Sequence, residues 1–172
     1  MKQHDVKQER IIGNNIFYVR PFSAFKAANL SGEVFSLLMP IIIKIAPLVL
    51  NARKKGKDDE SDAAQDDETS ALDIEAEEAA PHLANAASGI SGDKLEVLLK
   101  KLLVENKNIS VELEGEKEAQ FLDKDIADEI FCGDVQDMFI LAFDVIKVNY
   151  NGFFKKLGGQ YGKALNAFLA KG

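Results

Sequence analysis

One cysteine and two histidines are all the thiol and imidazole this 172-residue chain has. Cys132 cannot form an internal disulfide, and as a nucleophile it would need a nearby base. The expectation for it is a small buried hydrophobe just before a helix cap. His4 stands in the leading tail and His82 in a stretch poor in large apolar residues, so no zinc-ligand spacing can be assembled. The opening residues MKQHDVKQER lack the apolar run of a secretory signal, and with a single cysteine this points to a reducing cytoplasm. Long apolar runs are scarce too. The best, Val34 to Leu50, is short for a membrane span and carries Lys44, Pro40 and Pro47, which suits a buried or interface helix and no membrane role.

Basic residues are missing where acidity is densest. Between Asp58 and Glu78 stand eleven Asp and Glu and no Lys or Arg, so of the total charge of −7 the rest of the chain carries +4. The basic run Arg53, Lys54, Lys55, Lys57 is followed at once by those acids, which would repel a nucleic-acid backbone, so no nucleic-acid partner is expected. Neither acidic stretch has the glycine and alternating ligands of a calcium loop. Gly152, Gly158, Gly159 and Gly162 do not follow a strand, as a phosphate-cradling loop requires. The carboxylates Asp123, Asp125, Asp128, Glu129, Asp134 and Asp137 read as helix starts and exposed faces, with nothing to push two of their pKa values apart. The expectation is a protein with no catalytic residues, no metal and no cofactor, hence not an enzyme.

What is present is helical apolar periodicity and two strand pairs, in a chain 47% hydrophobic and able to bury a real core. Ile11-Ile12 and Ile16 to Val19 flank Gly13-Asn14, a hairpin signal. Phe22, Phe25 and Ala28 have helical spacing, a break is expected at Asn29 to Gly32, and a second helix begins near Glu33, with Pro40 at a kink or in a first turn. Residues 53–92 hold almost no large apolar residues and read as a flexible acidic insertion, with at most a weak helix near Ser70 to Ala80. Leu95, Leu98, Leu99, Leu102 and Leu103 mark an amphipathic helix capped by Ser91 or Asp93. Ile109, Val111, Leu113 and then Phe121-Leu122 suggest a second small hairpin, followed by a short helix through Ile126 and Ile130. Asp134 is placed to cap a long apolar helix, and residues after Gly158-Gly159 could form one last helix. The fold class is α+β and mostly helical: residues 1–52 form a hairpin and helices, 53–92 the insertion, and 93–172 a helical part that packs with 1–52 as one domain.

The long helix, VQDMFILAFDVIKVNYNGFFKKL from Val135, gathers Asp137, Asp144, Lys147, Asn151 and Lys155 into a polar stripe about one residue per turn wide. Met138, Phe139, Leu141, Ala142, Phe143, Val145, Ile146 and Val148 cover the rest. So much apolar surface argues for association with other chains. Partner binding is accordingly assigned to the apolar faces of residues 22–50 and 135–157, through Phe22, Phe25, Leu37, Leu38, Ile41, Phe139, Phe143, Ile146, Phe153 and Phe154.

Two blocks, FYVRPFSAFKAANLSGEVFSLLMP from Phe17 and GDVQDMFILAFDVIKVNYNGFFKKLGG from Gly133, carry Arg20-Pro21-Phe22, Phe25 to Asn29, Asn149 and Gly152 to Lys155. In this pattern the chain resembles the tail assembly chaperones of long-tailed phages and prophages of Gram-positive bacteria. The resemblance implies a non-enzymatic protein of the host cytoplasm that coats the tape measure protein and helps tail tube protein polymerise around it. It implies release before the virion is finished, and in many relatives a frameshifted longer form. A homo-oligomer fits the apolar excess; the alternative is a structural tail or connector subunit that stays in the virion.

Overall fold

A computed structural model describes residues 7–55 and 75–169, with side chains described for 7–39 and 75–155. Strands β1 (Gln8–Ile12) and β2 (Asn15–Val19) form the expected hairpin around Gly13-Asn14. Gly13 has φ +59° while Asn14 stays out of the left-handed region, the pattern of a II′ turn with glycine first. β3 (Ile109–Glu112) and β4 (Gln120–Phe121) form the second pair. The sequence suggested separate hairpins, but β2 also pairs antiparallel with β3, so the four strands make one sheet in the order β1-β2-β3-β4. Phe17 faces Val111 and Val19 faces Ile109, and all four side chains are fully buried on one side of that sheet.

Helix α1 spans Ala24–Lys55 and runs through Asn29 to Gly32, where a break was expected. Leu30, Val34, Leu37 and Leu38 form a buried stripe at helical spacing, and Ser31 donates its hydroxyl to the Ala28 carbonyl (2.7 Å). Burial of that stripe outweighs the weak local propensity of Asn, Ser and Gly. The helix also continues past Pro40 and Pro47.

Within the expected insertion, α2 (Ala76–Ala87) is a well-packed helix, which corrects the reading of 53–92 as flexible throughout. Ala76, Ala79, Ala80, Leu83 and Ala87 are all buried. The sequence offered no large apolar residues there, yet small ones at helical spacing let α2 approach its neighbours closely. It packs on α1 and on the long helix α5 (Val135–Leu169). The segment 56–74, with most of the acids, lies outside the described residues.

α3 (Gly92–Leu103) starts after Ser91 and buries Leu98, Leu102 and Leu103. α4 (Lys124–Ile130) is capped by Asp123, whose Oδ1 accepts from the Ile126 amide (2.9 Å). After α4, Phe131 stacks on Phe17 with ring centroids 5.9 Å apart, pinning that helix to the sheet. Cys132 is exposed, contrary to the expectation of a buried thiol. Gly133, at φ +86°, turns the chain into α5. α5 is one helix of 35 residues and passes through Gly158-Gly159, so no separate last helix forms. It touches α2, α3, β1 and β2, and everything packs around one core. The chain is thus α+β and mostly helical, as its sequence indicated.

Candidate partner-binding surface

The two blocks singled out in the sequence meet where α1 and α5 cross. Asn149 accepts at Oδ1 from the Phe22 amide (2.7 Å) and donates from Nδ2 to the Val145 carbonyl one turn back (2.7 Å). The chain entering α1 thereby leaves no amide wasted: Arg20 N–H reaches the Asn108 carbonyl (2.8 Å), Pro21 has none, and Phe22 N–H is taken by Asn149. One turn into α1, the Ala27 carbonyl accepts from the Tyr150 hydroxyl (2.7 Å). Further along, Phe35 stacks on Phe153 at 4.5 Å between centroids and meets Phe154 and Tyr150 edge-on at 5.3 and 5.6 Å. Such ring pairs contribute about 0.5–1.5 kcal/mol each beyond the area they bury.

This crossing sorts the ten residues assigned to partner binding. Phe22, Leu37, Leu38, Phe139, Phe143, Ile146 and Phe154 are buried in the protein's own interior and are not offered to another chain. Phe25 is 92% exposed and Phe153 is 44% exposed, and both stand on this pair of helices, as does Met39 at 45%. The side chain of Ile41 lies outside those described. The first half of α5 is enclosed more fully than its sequence suggested: every residue from Phe139 to Ile146 is buried. The sheet, α2 and α3 supply the cover that had been expected from other copies.

Asp144, expected on the water-facing stripe, is 1% exposed. Arg10 reaches it with a two-pronged grip: Nε to Oδ2, and Nη2 to Oδ1 at 2.8 Å. Its remaining nitrogen, Nη1, binds Glu77 Oε1 on α2 (2.8 Å). Arg10 shares the inward side of β1 with Ile12, opposite Phe17, which explains how a strand cation reaches into the core. The hydrogen bond to Asp144 is the main cause that raises the Arg10 pKa, against the opposing effect of burial. A signal for Asp144 existed: Ile140, Leu141 and Val148, three of its neighbours one turn away, are apolar, so an exposed stripe could not run through it. Asn149 and Tyr150 as clamps between helices had no such signal.

Burial pushes the Tyr150 phenol from its ordinary value of 10.0 up to about 12. The unfolded chain therefore loses this proton first as pH rises. Its contribution to stability is intact below pH 10 and is lost as pH climbs through about 12. Phenolate absorbance of Tyr150 should appear only together with unfolding in that window. Tyr150→Phe should remove this part of the alkaline slope while costing about 1 kcal/mol at neutral pH for the lost bond to Ala27.

No three His, Cys, Asp or Glu cluster as metal ligands among the described residues, and no helix among them is long and apolar enough to cross a membrane. No curated protein and no solved structure matches the chain. One family model, described as phage tail assembly chaperone protein, TAC, matches residues 13–162. That span starts at the β1–β2 turn and ends within α5, so it takes in the helix crossing and both sequence blocks. The chain belongs to the phage tail assembly chaperone family.

Proposed function

We propose that this protein binds the tape measure protein and promotes assembly of tail tube protein around it, without catalysing a reaction, as a homo-oligomer in the host cytoplasm. The observation that carries the reading is Phe25 at 92% and Phe153 at 44% exposure beside a tightly locked aromatic cluster. Large aromatic side chains held open on rigid helices suit the apolar face of an amphipathic client helix. The acids between Asp58 and Glu78 support the same role, since a strongly charged segment keeps a loaded complex dispersed.

Co-expression with tape measure fragments, followed by size-exclusion chromatography with light scattering, tests the reading. The wild type should co-elute with the client. The double variant Phe25→Ser, Phe153→Ser should lose about tenfold or more in affinity. Its melting temperature should hold, because substitutions at exposed positions typically shift stability by only about 0.5 kcal/mol. A wild type that ignores every fragment, or a variant that retains them equally, overturns the proposal. Purified particles separate it from a permanent tail or connector subunit, since a chaperone is missing from mature virions.

A further inference from the structure

Between the end of β2, the first turn of α1 and the loop from α3 to β3 lies an open cavity of about 310 Å³. Arg20, Lys26 and Lys107 all line it, together with Ser23, Asn106 and Asn108, and no Asp or Glu does. None of the three cations makes an ion pair with another described residue. The 32-residue helix α1 begins here with no acidic residue in its first turn, so the positive end of its dipole is left uncompensated. Positive charge from side chains and from backbone amides thus converges on one place.

Asn108 supplies an independent pointer to a ligand. It is only 5% exposed, and neither Nδ2 nor Oδ1 of its amide has a hydrogen-bond partner, although its main-chain carbonyl is taken by Arg20 N–H. A buried amide with both ends unmatched is costly to the free protein. Its donor and acceptor are the complement of a peptide group, whose carbonyl accepts and whose N–H donates. A bare anion would satisfy the donor alone.

We propose that this cavity binds an acidic peptide segment of a partner chain, with a carboxylate among Arg20, Lys26 and Lys107 and a peptide group paired to the Asn108 amide. The size agrees: the cavity sits at the small end of ligand sites, with room for one or two residues rather than a cofactor. Neither Phe25 nor Phe153 lines it, so the inference stands independently of the apolar surface.

Fluorescence anisotropy on the full chain with a labelled, end-blocked hexaglutamate peptide tests it, with hexaglutamine as the neutral control and inorganic phosphate as competitor. Hexaglutamate should bind at least tenfold tighter than hexaglutamine and weaken as salt is raised. Asn108→Leu should lower its affinity about tenfold while leaving the melting temperature unchanged or higher, because it removes two unmatched polar atoms. Lys107→Gly removes one cation at a residue held at φ +48°, where glycine is favoured, so it should weaken binding several-fold in a protein at least as stable. Should Asn108→Leu fail to fold, Lys107→Gly carries the test. Equal affinity for the two peptides, unchanged affinity in the variants, or displacement of hexaglutamate by equimolar phosphate each overturns the assignment.

Discussion

Replacing Arg10 by alanine should cost about 3–5 kcal/mol, because it leaves the Asp144 carboxylate charged and without its partner in the core. At this chain length that corresponds to a fall in Tm of roughly 6–20 °C. Asp144 is 1% exposed and takes both of its bonds from one guanidinium, so water cannot replace the lost partner. Lysine at position 10 should recover little, since an ammonium cannot match two carboxylate oxygens in the plane of a fork. The Glu77 link is different: its carboxylate is 58% exposed, and Glu77→Gln should cost no more than about 1 kcal/mol. The double variant Arg10→Met, Asp144→Leu decides what the pair is for. Replacing a whole buried pair with apolar groups is often neutral or stabilising by about 1–4 kcal/mol, so the double variant should melt well above either single change. Chemical denaturation of the four proteins measures this directly; a loss below about 1 kcal/mol for Arg10→Ala would show that Asp144 finds other partners.

That ion pair also marks where reading the sequence stopped short. Element types were legible wherever apolar residues recur with a clear period: the Gly13-Asn14 hairpin, the leucine face of α3 and the apolar run of α5 all form as their spacing indicates. Two kinds of feature were not. Local breakers misled at Asn29 to Gly32 and at Gly158-Gly159, because helix continuity there is decided by what the helix packs on rather than by propensity. Small residues misled at Ala76 to Ala87, where low hydrophobicity suggested a solvated linker; alanine buries little area per residue but permits close helix approach, and α2 closes the core over α5. That closing helix is why the α5 surface looked too apolar for one chain. With α2 read as linker, Phe139, Phe143 and Ile146 lacked a cover and were assigned to a partner. The merged sheet was hidden for another reason, since β2 and β3 are separated by three helices and no local pattern reports such pairing.

The consequence for mutagenesis is a sharp division along α5, with its largest effect at Phe143. This ring is 1% exposed and sits one residue from Asp144, so Phe143→Ala should cost about 3–5 kcal/mol by leaving a cavity that rigid neighbours cannot fill. It should abolish client capture only by unfolding the protein. Phe153 lies on the same helix but is 44% exposed, and removing it should leave the fold in place while weakening capture. Measuring denaturant midpoint and client retention on the same samples separates the two effects: Phe143→Ala should regain capture in proportion to the folded fraction as temperature is lowered, whereas Phe25→Ser, Phe153→Ser should not. A Phe143→Ala protein that stays fully folded yet fails to hold the client would return this residue to the binding surface, and with it the view that α5 opens to a partner along its first half.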